Sequence, residues 1–167
     1  MKAFMTTGSY ELLKKIAEKH RNLQFIYMQG TGGTLAYYED EGNSVFSSGR
    51  DFEILLTKGE IKKEGFVAMN NIPVMEEGQP VFEEQFRQRQ ENIESAAGFQ
   101  AFRLLKPCSG HTYIVLTQWN SAKDFEDWKA SPQFKAAHDK QIIKKPAYFA
   151  DEPFLGTYHM VKEENTD

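Results

Sequence analysis

From Phe66 to Val161 the hydrophobic pattern changes in a fixed order: strand, helix, strand, strand, helix, strand. This order constrains the fold more than any other feature, because a βαββαβ run builds one antiparallel sheet with its helices on one side. Phe66 to Val74 alternates with period two. Pro80 suits the first position of a helix, with Glu83 and Glu84 in the first turn where the helix dipole favours acids. Phe82, Phe86, Ile93 and Ala97 share one face of that helix, and Gly98 ends it. Phe99 to Lys106 and His111 to Trp119 flank the Pro107–Gly110 turn and read as a hairpin. Ser121 caps the next helix, with Asp124 three residues on, and Ser131-Pro132 starts another helical stretch. Phe154 to Val161 is the last strand, before a polar tail.

The preceding part reads as βαββ with extras. Lys2 to Thr6 is a strand, and Ser9 caps a helix to about His20 with Leu12, Leu13 and Ile16 at helical spacing. Leu23 to Gln29 and Thr34 to Glu39 are strands around a glycine turn. Gly30-Thr-Gly-Gly33 lacks the Gly-Lys-Ser/Thr ending and following helix of a phosphate loop, so it reads as a hairpin turn. A second turn at Asp40–Asn43 leads into Ser44–Ser48, and Asp51 to Leu56 is expected to form a short helix. The charged stretch Lys58–Glu64, bracketed by Gly59 and Gly65, reads as a junction. The expected division is therefore 1–63, a partial ferredoxin-like half, and 64–167, a complete βαββαβ unit. The fold class is α+β.

Composition narrows the function classes. Twenty basic against 24 acidic residues give a net charge of −4, with no long basic run, so nucleic-acid binding is not expected. The single cysteine, Cys108, permits no intrachain disulfide and fits a reducing, cytoplasmic setting. No apolar run approaches the ~20 residues of a spanning helix, and Met1–Tyr10 lacks the apolar core of a secretory signal.

Period-two alternation places Asn70 with Phe66, Ala68, Ile72 and Val74 on an otherwise apolar face. A buried amide without a partner costs on the order of 1–3 kcal/mol, so Asn70 either bonds neighbouring backbone or serves a ligand. Asn71 faces the other way and is expected nearer solvent. His138 follows Phe134 by four residues on one helix face, where a neutral imidazole is either a packed or surface side chain or an iron or zinc ligand. Trp128, three residues after Phe125, reads as a core aromatic, with Trp119 against the same helix. There is no HExxH, no cysteine pair and no CxxCH, which leaves noncovalent haem on a single histidine open. Cys108, Ser95 and Ser109 lack a base nearby in sequence, and Glu76-Glu77 and Glu83-Glu84 read as solvated charges.

The stretch Trp119-Asn-Ser-Ala-Lys-Asp-Phe-Glu-Asp-Trp128-Lys-Ala-Ser-Pro-Gln-Phe-Lys-Ala-Ala-His138, with the strand Ala68-Met-Asn70-Asn-Ile-Pro-Val74, resembles IsdG-type haem-degrading monooxygenases. These belong to the antibiotic-biosynthesis-monooxygenase superfamily, whose ferredoxin-like units form dimeric α/β-barrels. The whole chain resembles the long, HmoB-like bacillary branch, and also the staphylococcal signal-transduction protein TRAP. The resemblance implies haem as both cofactor and substrate, O2 as oxidant and electrons from an external reductase or reductant. It implies His138 as the axial iron ligand, Asn70 as the distal amide and Trp128 as the side chain that presses the porphyrin out of plane. Arg87, Arg89 and Arg103 are candidates to meet haem propionates.

Two rivals stand beside this reading. One is a cofactor-free monooxygenase acting on a quinol-like substrate; the other is a non-enzymatic, TRAP-like regulator. The N-terminal part contains no tryptophan, one histidine (His20) and no asparagine on an apolar strand face. The expected assembly is thus a monomeric pseudo-dimer, its N-terminal sheet standing in for a second subunit, with one haem on the C-terminal side.

Overall fold

The computed structural model describes residues 1–88, 93–132, 134 and 149–161. Eight strands close into one barrel: β1 (Lys2–Gly8), β2 (Ile26–Gly30), β3 (Gly33–Asp40), β4 (Arg50–Gly59), β5 (Phe66–Pro73), β6 (Phe99–Pro107), β7 (Thr112–Trp119) and β8 (Phe154–Met160). Three helices are described, α1 (Tyr10–Glu18), α2 (Gln79–Gln88) and α3 (Ala122–Lys129). Around the barrel the order is β1-β3-β2-β8-β5-β7-β6-β4. Read as two halves, β4-β1-β3-β2 and β8-β5-β7-β6 have the same 4-1-3-2 order, the ferredoxin-like one. The halves join along two antiparallel seams. One runs from Phe52↔Pro107 to Gly59↔Ala101 between β4 and β6; the other pairs Met28↔Met160 and Gln29↔His159 between β2 and β8.

The expected helix at Asp51–Leu56 is instead the middle of β4. Phe52, Ile54 and Leu56 alternate, with Phe52 and Ile54 packed into the barrel, and β4 bonds β1 on one side and β6 on the other. Two waiting strand edges override a weak local helix pattern. The N-terminal half is therefore a full four-stranded sheet rather than a partial one. Residues 41–49, which occupy the place of a second helix, are irregular, and their Val45 and Phe46 pack under α1's cluster.

Closing the sheet buries both of its faces. The inner cluster draws on all eight strands: Ala3, Met5, Ile26, Met28, Leu35, Tyr37, Phe52, Val67, Met69, Leu105, Ile114, Leu116 and Met160. Outside, α1 covers Phe4, Phe25, Tyr27 and Tyr38, using Leu13, Ile16 and Ala17. Leu12, expected on that face, is 56% exposed. The outer face of the second half carries two clusters, one under α3 with Phe66, Ala68, Trp119, Phe125 and Trp128, the other under α2 with Ile72, Val74, Phe82, Leu104 and Tyr113.

The predicted caps form. Ser9 Oγ accepts from the Leu12 amide, and Ser121 Oγ accepts from the Asp124 amide at 3.2 Å while donating to its carboxylate at 2.9 Å. The helix expected to reach Ala97 does so only in part. α2 runs to Gln88, Ile93–Ser95 is a 3-10 turn, and Ala96 rather than Ala97 packs against the sheet.

The junction 60–65 is held at the barrel end by Gln118, whose amide accepts from the Lys62 N–H at 2.8 Å and donates to the carbonyls of Lys62 and Glu64 at 2.7 and 3.2 Å. Gly65 ends it with φ +113°, and a Cβ there would overlap the Trp119 carbonyl oxygen. Gly65→Ala is expected to cost ~2–4 kcal/mol, from backbone strain plus the clash, read as a lower urea midpoint at unchanged m.

Candidate functional site

Of the residues singled out from the sequence, Trp128 can be placed on α3 and Asn70 on the outer face of β5. Phe66, Ala68, Asn70 and Ile72 project to this side, and Asn70 falls between the α3 and α2 clusters. Asn70 is half-buried, and among the described residues its side chain makes no hydrogen bond. Across the ladder its neighbours are Val115 on β7 and Leu155 on β8. Of the two roles open to Asn70, bonding to nearby backbone is not used.

Trp128 is buried within the α3 cluster, its ring 6.2 Å from Trp119 and 6.0 Å from Phe134. Trp119 is fully buried and donates from Nε1 to Thr117 Oγ1 at 2.9 Å. The chain after α3 is fixed by Ser131, whose Oγ donates to the Trp128 carbonyl at 2.6 Å and accepts from the Phe134 amide at 3.2 Å. Asn70 and Trp128 thus share one face. His138 and Arg89 lie outside the described residues.

Three expectations are corrected. Arg103 faces the barrel interior, 4% exposed, so it is on the opposite side of the sheet from Asn70 and is not available to a ligand there. It forms a two-pronged pair with Glu39 (Nε–Oε2 2.8 Å, Nη2–Oε1 3.4 Å) and donates to the carbonyls of Lys58, Gly59 and Phe102. Tyr37 donates to the same carboxylate at 2.6 Å; burial first, and Glu39 next, push its phenol well above its ordinary pKa, so it stays protonated. Asn71 is 5% exposed rather than near solvent, because its side of β5 is the inner face of the closed barrel, with Val67 and Met69. Its amide donates to the carbonyls of Met69 and Phe154 at 3.2 and 3.3 Å.

Glu83, the third, is buried under α2 rather than solvated. It accepts from the Tyr113 hydroxyl and pairs with Lys106 at 3.1 Å. Burial first, and this hydrogen bond next, raise the Tyr113 pKa. The sequence signal was Tyr113 itself: on the face of Val115 and Trp119 its hydroxyl needs an acceptor. Arg87 is half-exposed beside Glu83 and Glu84, 3.8 Å from each. Cys108 is exposed in the β6–β7 turn, and burial of its sulfur pushes the thiol pKa up, away from a nucleophilic thiolate. Among the described residues no group of three His, Cys, Asp or Glu side chains is placed to hold a metal ion, and no helix is long and apolar enough to cross a membrane.

An apolar face interrupted by one unengaged amide and walled by a tryptophan suits a flat, largely apolar ligand with a polar centre. Residues 65–140 match the antibiotic biosynthesis monooxygenase family. The chain's relatives divide in name. The heme-degrading monooxygenase of Listeria monocytogenes is 27% identical over 134 residues, 80% of each chain. The signal transduction protein TRAP of Staphylococcus epidermidis is 23% identical over 145 residues, 87% of each chain. A solved structure of a major regulator of staphylococcal pathogenesis superposes with TM-score 0.84 at 23% identity, over 97% of this chain and all of that one, which shows the fold.

Proposed function

We propose that the chain is a haem-degrading monooxygenase that binds one haem on the outer face of its C-terminal half, in the cytoplasm. The observation that carries this reading is Asn70, an amide without a side-chain hydrogen bond on an apolar face beside the Trp128 cluster. In composition the residues fit the group: Ala68, Ile72 and Val115 make this side of the sheet apolar around the Asn70 amide, with Trp128 in the neighbouring α3 cluster. Because Ala68, Ile72 and Trp128 are buried, a macrocycle would have to part the side chains that pack over them. The Listeria relative, similar over four-fifths of the chain, bears a matching activity.

In this reading His138 would hold the iron. Haem supplies the redox chemistry with O2 and electrons from an external donor. Asn70 would offer its amide as a hydrogen-bond donor to the bound group, Trp128 would contact the macrocycle, and the apolar floor would exclude water. The opposite half is read as carrying no second haem. Its outer face is filled by Phe4, Phe25, Tyr38 and Phe46, with ring centroids 4.9–5.8 Å apart. With the second sheet in the same chain, we further propose a monomer divided at residues 63 and 64.

The test is hemin added to the purified protein. One equivalent is expected to saturate a Soret shift, and ascorbate with catalase is expected to bleach it and release iron. No shift overturns the reading. A shift without bleaching favours a haem-sensing regulator, the alternative kept in view by the 23% identity to TRAP.

Asn70→Ala should leave hemin affinity nearly unchanged and slow turnover ~5- to 150-fold, the rate equivalent of ~1–3 kcal/mol felt only in the transition state. Lost affinity with normal turnover of the bound fraction would contradict the orienting role.

A further inference from the structure

We propose that Leu155 on β8 is a direct ligand contact that extends the Asn70 floor; the class of ligand, a flat apolar macrocycle, rests on the haem reading above. Directly opposed residues in an antiparallel ladder project to the same side, with Cβ atoms ~4.5–5.5 Å apart. The register aligns Leu155, Asn70, Val115 and Leu104 in one row across β8, β5, β7 and β6. Burial falls along that row. Leu104 is fully buried, Val115 and Asn70 are both half-buried, and Leu155 is 48% exposed. The gradient follows the helices: α3 packs on β5 and β7, and α2's cluster takes in Leu104 and Val115, while Leu155 belongs to neither cluster.

An exposed leucine standing alone carries no message. Leu155 is different because it continues an apolar floor whose one polar member, Asn70, is itself without a side-chain partner among the described residues. On its β5 side Leu155 is paired with Asn70, while β8 meets β2 only at His159 and Met160. The other residues on its face of β8, Thr157 and His159, are exposed and polar, so the apolar surface stops at Leu155 on this strand. A macrocycle laid over Asn70 and wider than one strand spacing would cover it.

The test is a Soret titration of the full chain with hemin, a binding measurement independent of turnover. Leu155→Glu is expected to raise the hemin Kd about tenfold, from lost apolar contact and the carboxylate's desolvation. Leu155→Thr, a strand-compatible change, should raise it about threefold and serves if the glutamate variant does not fold. Leu12→Glu, on the equally exposed leucine of α1, is expected to leave Kd unchanged. Wild-type affinity in folded Leu155 variants overturns the assignment of Leu155 alone, as does an equal loss in Leu12→Glu. No Soret shift in the wild type instead overturns the haem reading, and the inference with it.

Discussion

Arg103→Ala is expected to destabilise the protein by ~3–5 kcal/mol, the cost of leaving a paired charge and its hydrogen bonds without a partner. Arg103 ties β6 to a carboxylate on β3 and to the backbone of β4. It grips Glu39 on β3 with two nitrogens and the β4 carbonyls of Lys58 and Gly59 with a third. Removing it strands the Glu39 carboxylate, which Tyr37 alone then satisfies. In a chain of this size that loss corresponds to a fall in Tm of roughly 10 °C. Urea unfolding of Arg103→Ala and of the double variant Arg103→Met, Glu39→Leu checks the cause. The double variant should recover part of the loss, because an apolar pair replaces the ion pair, less the ~1–3 kcal/mol for the buried Tyr37 hydroxyl that loses its Glu39 acceptor. Hemin affinity should not change in the folded fraction, since Arg103 lies inside the barrel.

His138→Ala is expected to reduce haem turnover to background. The apolar face would still admit haem, but with no imidazole on the iron the absorption spectrum should lose its single-histidine signature. The other imidazoles give the comparison. His111 is exposed in a turn, and His20 closes the α1 segment on the opposite half. His159 is the informative control. It sits on the outer side of β8 with its ring 5.3 Å from Phe66, so it shares the ligand's side of the sheet. His159→Ala should leave the spectrum and turnover intact. Normal turnover in His138→Ala, or its loss in His159→Ala, would move the ligand assignment from one to the other.

Much of this was legible in the residues, and the misreadings have a common physical origin. Caps act locally, so Ser9 and Ser121 could be placed from their neighbours alone. Alternation in Phe66–Val74 separated Asn70 from Asn71 correctly, but period two assigns residues to two faces without saying what covers each. In a closed barrel the inner face becomes the core. For this reason Asn71 and Arg103, expected near solvent or ligand, are buried. The same closure explains β4: Asp51–Leu56 has little to mark it as a strand until β1 and β6 offer it partners distant in sequence. Glu83 was misread because its acceptor role depends on Tyr113, thirty residues away.

The seam between β2 and β8 sets a schedule for the chain as it leaves the ribosome. Strands β1 to β4 can pair as they emerge, and β5, β6 and β7 can follow, but β2 and β5 each keep a bare edge until residues 154–160 are made. The last strand supplies both missing partners at once, Met28↔Met160 to one side and the run from Phe66↔His159 to Asn71↔Phe154 on the other. A nascent or truncated chain lacking β8 is therefore a sheet with two sticky margins, the form in which strand proteins associate wrongly. Loss of the C-terminal strand should make itself felt first as insolubility in the cell, before any question of catalysis arises.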